Sequence, residues 1–450
     1  MSKSTFHNYS SVQRCIEPTC RATYNIDARH YTCQICDGLL EIESDLTALA
    51  GLESLKEVWI SRRQSQLPID RSGVWRFREL LPFAELNEVV SLEEGNTPLY
   101  DAPRTAEYAG LQSLRLKHQG NNPTCSFKDT GMTAAVTQAV VLGSELVMCA
   151  STGNTAASLA AYAARAGLSC AILVPTGQVS HAKLAQALDY GAIVLEIDGN
   201  FDTCMRLVRE FSTDEDIYLV NSINPFRIEG QKTVAAELAE QLDWKLPDYL
   251  IVPGGNLGNS SAFGKGFREL HQLKLMERMP EIIVVQAEGA APFARYFEEV
   301  STGQTTDLIP DPNPRTLASA IKIGDPVSWK KAWRAVRETR GRVITVTETE
   351  IADAKAIVGR DGIGCEPASA TTVAGIRKLV TSGLIDRAAK VVAVLTGHVL
   401  KDTDYVINYH KGSLKLPGID HSLAGKFSNE PIRVAPVGKE IRAVLRRLQH

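Results

Sequence analysis

Four short segments of this chain carry residue types that can do chemistry together. Cys125-Ser126-Phe127-Lys128-Asp129-Thr130-Gly131 sets a lysine at the start of a helix expected over Asp129–Leu142. A cation is misplaced there for the helix dipole, which favours negative charge. A lysine amine sheltered from water has a lowered pKa and forms Schiff bases, although a lone lysine in a loop is equally a solvated surface group. Pro253-Gly254-Gly255-Asn256-Leu257-Gly258-Asn259-Ser260-Ser261 has glycines that let backbone N–H groups close on an anion at a helix N-terminus. It cannot be written as Gly-x4-Gly-Lys-Ser/Thr, and its glycine spacing misses the dinucleotide fingerprint, so a ligand-free tight turn stands beside anion binding. Ala150-Ser151-Thr152-Gly153-Asn154-Thr155 offers hydroxyls and N–H groups to a carboxylate, with Asn154 able to donate to a phenolic oxygen. Ser151 or Thr152 is also a sufficient helix cap. Leu395-Thr396-Gly397-His398 brings a hydroxyl that can bond a ring nitrogen or its own backbone.

A fifth segment has metal-ligand character. Cys15, Cys20, Cys33 and Cys36 follow a C-x4-C-x12-C-x2-C spacing, with Gly38 available for a turn after the second pair. The arrangement is that of a zinc ribbon with a widened first pair, and a four-thiolate zinc is structural because it keeps no open position. A metal-free thiol cluster is the alternative, and His30 is read as a surface histidine. The other five cysteines are scattered and read as small core residues.

The elements that must hold these segments are visible in the hydrophobic pattern. Aliphatic runs at 144–150, 168–174, 192–197 and 217–221 alternate with helical stretches at 154–166, 181–190 and 201–211. A second series has strands at 248–252, 282–287, 343–346 and 391–395, with helices at 260–271, 348–359 and 366–382. Continuous aliphatic strands alternating with helices predict α/β architecture, with parallel sheets covered on both faces. In such sheets ligands collect at the carboxyl ends of strands, where all four loops fall. Residues 1–45 form the expected cysteine module, and 46–129 a linker with some helix plus the first part of a large domain. A small inserted α/β domain is expected over 130–226, and the remainder of the large domain over 227–450. The basic tail from Val437 is expected to be an amphipathic helix docking on the core.

The chain has 450 residues, a net charge of −3, 44% hydrophobic and 22% charged residues. That balance excludes global disorder and gives no long-range attraction for nucleic acid or an anionic membrane. No apolar run reaches the ~18 residues of a membrane span, and Met1–Asn8 lack the apolar core of a secretory signal. Nine cysteines, an odd number, do not form a secreted disulfide framework. A soluble cytoplasmic enzyme is expected.

Taken in order, the four loops resemble the threonine synthase family, pyridoxal-phosphate enzymes of the tryptophan-synthase-β type of fold (fold type II). The resemblance runs from about Glu94-Gly95-Asn96-Thr97-Pro98-Leu99 to about Asp402. Asn221-Ser222-Ile223-Asn224-Pro225-Phe226-Arg227-Ile228-Glu229-Gly230-Gln231-Lys232-Thr233, Ala318–Gly324 and Gly364-Cys365-Glu366-Pro367-Ala368-Ser369-Ala370 extend it. It implies pyridoxal 5′-phosphate held by Lys128 as a Schiff base, with Lys128 as the catalytic acid/base. Gly254, Gly255, Asn256, Leu257, Gly258 and Asn259 would cradle the cofactor phosphate, Asn154 would bond the ring 3′-oxygen, and Thr396 the ring nitrogen. A neutral threonine at that nitrogen does not enforce a protonated pyridine. Ser151, Thr152 and Thr155 would hold the substrate carboxylate; Asn221, Ser222 and Arg227 its phosphate. The implied reaction converts O-phospho-L-homoserine and water into L-threonine and phosphate, and a homodimer is implied. A β-replacement enzyme acting on O-phosphoserine would share these residues, while threonine dehydratase and cysteine synthase would not need the Asn221–Arg227 segment. A non-catalytic zinc- and cofactor-binding regulator would not need Lys128, Asn154 and Thr396 together.

Overall fold

The computed structural model describes residues 11–49, 54–177, 181–211, 217–304, 307–415, 422 and 425–447. Met1–Asn8 and the last three residues of the basic tail lie outside them. Among the described residues, three sheets organise the chain. β1 (Ser11–Cys15), β2 (Thr23–Asn25) and β3 (Leu40–Ser44) form an antiparallel sheet in the order β2-β1-β3. β4 (Leu99–Asp101) and β5 (Arg115–His118) come next in sequence. β6 (Leu146–Ala150), β7 (Ser169–Pro175), β8 (Ile193–Ile197) and β9 (Ile217–Leu219) make a four-stranded parallel sheet, β8-β7-β6-β9. β10 (Tyr249–Pro253), β11 (Glu281–Ala287), β12 (Arg342–Val346) and β13 (Val391–Leu395) join β5 in parallel, with β4 antiparallel at the edge.

The six-stranded order is β12-β11-β10-β13-β5-β4, so the last strand of the chain inserts between β10 and β5. The turns after β10 and β13 are thereby neighbours. Both faces of this sheet are covered. Leu250, Val252, Phe263 and Phe267 pack on one side, and Ile251, Ile283, Ala374 and Val373 on the other. β13 is buried at every position, as the unbroken Val-Val-Ala-Val-Leu run requires. No helix among the described residues is long and apolar enough to cross a membrane.

Two helices join the sheets. The helix Phe226–Gln241 is buried along nearly its whole length and lies against the helices Lys128–Val141 and Gly258–Gln272. Glycines permit the contact: a Cβ at Gly230 would stand 1.9 Å from the Thr130 carbonyl oxygen. The helix Asn154–Ala166 ends as its sequence predicts, with Gly167 in the left-handed conformation at φ 71°.

Two expectations need correction. Within the stretch 46–129, expected to begin as a linker, residues 54–95 are folded into the core. Trp59, Trp75 and Phe77 are fully buried, and the charges that made the segment look solvated are spent on internal pairs. Arg62 bonds Glu79, Arg76 bonds Glu240 and Arg78 bonds Asp70. The tail forms the helix Gly438–Arg447, yet it docks on nothing among the described residues. Ile441 and Leu445 remain exposed.

The N-terminal sheet touches both larger sheets. Tyr31 packs in the core of the four-stranded sheet, and its hydroxyl accepts the Leu219 N–H at the end of the edge strand β9 (2.7 Å). On the other side Lys331 donates to the Leu40 carbonyl (2.6 Å), Lys265 donates to the Ile42 carbonyl, and Arg334 forks onto Glu41.

Candidate functional site

Lys128 is fixed by stitching its loop to the turn after β13. Ser126 bridges to Gly397, the Phe127 N–H donates to the Thr396 carbonyl (2.8 Å), and the His398 N–H donates to the Cys125 carbonyl (3.0 Å). Asp129 holds the helix start from below, accepting from Thr124 N–H (2.7 Å), Thr124 Oγ1 (2.6 Å) and Ser158 Oγ (2.5 Å). The Lys128 amine lies 4.0 Å over the Phe127 ring. Burial, and then the Arg227 charge, lower its pKa to about 7, while Glu366 opposes the shift. Near neutral pH the amine is therefore substantially a free base, the form that attacks carbonyls.

Arg227 is buried at the start of its helix, and neither Nε nor Nη1 has a partner among the described residues. Burial lowers its pKa to about 10. An uncompensated guanidinium in a protein interior is costly and calls for an anion. Gln231, one helical turn on, leaves Oε1 without a partner, 3.7 Å from where a Gly258 side chain would begin.

The loop after β10 turns back on Leu257, whose φ is 63°. Gly255 runs so close to Ala320 and Ile321 that a Cβ would meet them at 3.2 Å. Of the loop N–H groups, Gly254 donates to Val285 (2.8 Å), whereas those of Gly255, Asn256 and Leu257 find no acceptor among the described residues. They precede the N-terminus of the helix Gly258–Gln272, an arrangement that attracts anions. Asn256 is anchored by Ser328, which donates to its carbonyl (3.2 Å), and Asn259 donates to Gln119 Oε1 (3.1 Å).

Asn154 and Thr396, expected at opposite polar atoms of one ring, meet on a residue to which the sequence reading gave no role. Asn154 Nδ2 donates to Glu366 Oε2 and Thr396 Oγ1 donates to Glu366 Oε1, both at 3.0 Å. Ser369, one turn further along the helix Pro367–Thr381, accepts the N–H groups of Thr396 (2.8 Å) and Gly397 (3.2 Å). Its Oγ also lies 3.1 Å from Thr396 Oγ1. Glu366 is buried, and its backbone N–H donates to the Gly397 carbonyl (2.9 Å). The signal for it was the Glu-x-x-Ser spacing at a helix start, which puts both side chains on one face toward the neighbouring strand end.

Ser151, Thr152 and Thr155 stand half-buried around the start of the helix Asn154–Ala166, and Ser222 is half-buried before Arg227. Asn221 is committed elsewhere than expected. Its side chain accepts the Ala150 N–H and donates to the Ala150 carbonyl, both at 3.0 Å, clamping the end of β6. Its other amide proton faces only the weak acceptor Met205 Sδ at 3.4 Å.

Cys15, Cys20, Cys33 and Cys36 gather in the N-terminal sheet, with all four sulfurs within 4.8 Å of one another. The Cys15–Cys36 and Cys20–Cys33 sulfur separations are 3.5 and 3.6 Å. Tetrahedral zinc–thiolate geometry, with bonds of about 2.3 Å, requires sulfurs roughly 3.8 Å apart.

The family of pyridoxal-phosphate dependent enzymes matches residues 90–397. The threonine synthase of Methanocaldococcus jannaschii is 45% identical over 406 residues, covering 90% of this chain and 96% of that protein. That of Methanosarcina acetivorans is 47% identical over 397 residues, covering 88% and 93%. Among solved structures, the processed form of threonine deaminase isoform 2 from Solanum lycopersicum superposes with a TM-score of 0.60 at 21% identity. It covers 71% of this chain and 82% of that one, a likeness of fold.

Proposed function

The chain belongs to the threonine synthases among the pyridoxal-phosphate-dependent lyases, and on that premise we propose which of its residues carry the conversion of O-phospho-L-homoserine and water into L-threonine and phosphate. The observation that supports the assignment most is the pair of basic groups at one site: the depressed Lys128 amine and the unpartnered Arg227 guanidinium. The same groups fit a phosphorylated aldehyde cofactor. Lys128 supplies the amine, and the open N–H groups of Gly255, Asn256 and Leu257 would supply the core of the phosphate cradle. Asn154 and Thr396 supply polar groups for the ring. When bound, pyridoxal phosphate supplies an electron sink that acidifies the substrate's α and β carbons.

The chain's own residues do the rest. Ser151, Thr152 and Thr155 hold the substrate carboxylate at a helix N-terminus. Lys128 Nζ would remove the proton from Cα and then one from Cβ, the electron pair of that second C–H bond expelling the γ-phosphate, and would return protons to Cγ and, at the end, to Cα. Arg227, with Ser222 and the spare Asn221 N–H, holds the γ-phosphate and stabilises the charge that grows as it leaves. A hydroxyl from water then adds at Cβ. Closure of the 130–226 unit over the substrate would keep water out until that step.

The four cysteines would hold one structural zinc, a reading supported by the sulfur separations; equimolar metal in the purified protein tests it. All nine cysteines are free, which agrees with a reducing cytoplasm. The homodimer follows from the family resemblance, and the mass in solution tests it. For the reaction, purified protein is incubated with O-phospho-L-homoserine. Equal phosphate and threonine, lost in Lys128→Ala, support the proposal. No phosphate release, with turnover of O-phosphoserine and an added nucleophile, overturns it in favour of β-replacement.

A further inference from the structure

Next to the segments that carry Thr396 and Glu366 the protein is hollow. A cavity of about 90 Å³ lies between the helices Glu348–Arg360 and Thr403–His410, the Gly364-Cys365 turn and Val399. Two buried polar groups line it without partners. Lys355 is 8% exposed, and its amine, 6.0 Å from the Tyr405 ring centroid, meets no hydrogen-bond or salt-bridge partner among the described residues. The Tyr405 hydroxyl is buried and unpartnered as well. An amine and a hydroxyl withdrawn from water are costly unless something in the hollow accepts their protons.

The polar side chains around the hollow are donors. Burial, then the neighbouring Glu348, Tyr409, Asp402 and Asp353, raise the Tyr405 pKa, so its hydroxyl keeps its proton. His410, also lining the cavity, accepts the Asn429 N–H at Nδ1 (3.0 Å), which leaves its own hydrogen on Nε2. The carboxylates nearby are engaged elsewhere. Glu348 accepts the Leu317 N–H (3.2 Å), Asp353 the Tyr409 hydroxyl (2.8 Å) and Asp402 the Ser319 hydroxyl (3.1 Å). Cys365 is a buried thiol with its pKa pushed up to about 12, hence neutral.

We propose that this cavity is a second anion site, separate from the one around Arg227, and that its ligand is a short aliphatic monocarboxylate. One amine cation beside neutral donors matches a single negative charge, whereas it would leave a phosphate dianion half neutralised. Ala352, Ala356 and Val406 line the rest with hydrocarbon, which suits an alkyl chain. The volume falls below the roughly 150 Å³ that admits benzene, so the chain is limited to about two to four carbons. An occupant would touch both segments that build the catalytic site. Cys365 precedes Glu366 and pairs with His398 across an isolated bridge, and a Cβ at Gly364 would stand 2.7 Å from Val399 Cβ. Filling the cavity therefore bears on the Thr396 turn and changes turnover.

Calorimetric titration of the full chain, loaded with pyridoxal phosphate, tests the site with propionate, its uncharged isostere propionamide, and inorganic phosphate. Propionate should bind with a dissociation constant on the order of 1 mM, and propionamide should not bind over the same range. Lys355→Met should weaken propionate about tenfold or more, while Arg227→Ala leaves it unchanged. No propionate binding, equal binding of propionamide, or a loss in Arg227→Ala with retention in Lys355→Met overturns the proposal. Phosphate binding that needs Lys355 and exceeds that of propionate overturns the choice of a monocarboxylate. If Lys355→Met does not fold, Tyr405→Phe, which deletes only the orphaned hydroxyl, must weaken propionate, and unchanged affinity refutes the site. At saturating O-phospho-L-homoserine, propionate should alter kcat in the wild type and not in Lys355→Met. An unaltered wild-type kcat with the cavity filled overturns the link to turnover.

Discussion

The close crossing of the Lys128 and Arg227 helices makes Gly230→Ala a stringent test of the proposed geometry. The added methyl would stand 1.9 Å from the Thr130 carbonyl oxygen and 2.9 Å from Ala134 Cβ. Real Cβ contacts essentially never fall below 3.0 Å, so the first contact must open by at least 1.1 Å. Backbone provides the obstacle, and no flexible side chain can yield. The helices must move apart, and Thr130 is two residues from Lys128 while Gly230 is three from Arg227. Overpacking of this kind costs about 1–3 kcal/mol of stability. A displacement near 1 Å in a reacting group costs roughly 100-fold in rate. The expected outcome is a folded protein with kcat down about 100-fold, measured as phosphate release from O-phospho-L-homoserine, and a modestly lowered denaturation midpoint. Retention of wild-type kcat and midpoint together would refute the claim that this glycine contact sets the distance between Lys128 and Arg227.

Other expectations follow from single residues. Arg227→Ala removes the unpartnered guanidinium and lowers kcat/KM for the phosphorylated substrate by about 30-fold or more, from the ~2 kcal/mol minimum for losing a buried charged contact. Lys128 has a pKa lowered from 10.5 to about 7, so in cofactor-free protein an amine-selective reagent at pH 8 should label it ahead of surface lysines, and labelling should fade below pH 7. The sign for stability is the same: the unfolded chain binds the extra proton between about pH 7 and 10.5, so this group's contribution to folding rises with pH across that window. Glu237→Gln removes the only carboxylate paired with Lys117 among the described residues and leaves the buried cation with neutral acceptors such as the Thr97 carbonyl and Gln241, and should cost about 3–5 kcal/mol in denaturant titration. Chelation of the four-cysteine site should release one metal per chain and expose four additional thiols to a colorimetric reagent.

Much of the fold could be read in advance because parallel strands are coded locally. Val391–Leu395 and Phe201–Phe211 appear with the expected boundaries, and the other expected strands shift by one or two residues, while the strands β1 to β5 were not anticipated. Residues 54–95 misled because their charges resemble a solvated surface, and only the tertiary structure shows Arg62, Arg76 and Arg78 paired inside. The tail helix misled for the opposite reason, since an amphipathic pattern states that a face is apolar and not what covers it. The glycine loop, Lys128, Asn154 and Thr396 were legible as strand-end motifs. The placement of Glu366 was not, because its two donors, Asn154 and Thr396, lie 212 and 30 residues away in sequence. Asn221 shows the same limit, as a single amide can serve a ligand or a strand end, and here Ala150 claims most of it.

The double attachment of the N-terminal sheet also bears on how the chain is made. Leu40 and Glu41 leave the ribosome 291 and 293 residues ahead of Lys331 and Arg334, the groups that hold them. At synthesis rates of about 5–20 residues per second, the first sheet waits roughly 15–60 s for those partners. A three-stranded sheet of this size has too little core to stand alone for that time, and metal bound by its cysteines would give the nascent segment a defined shape before its docking surface exists.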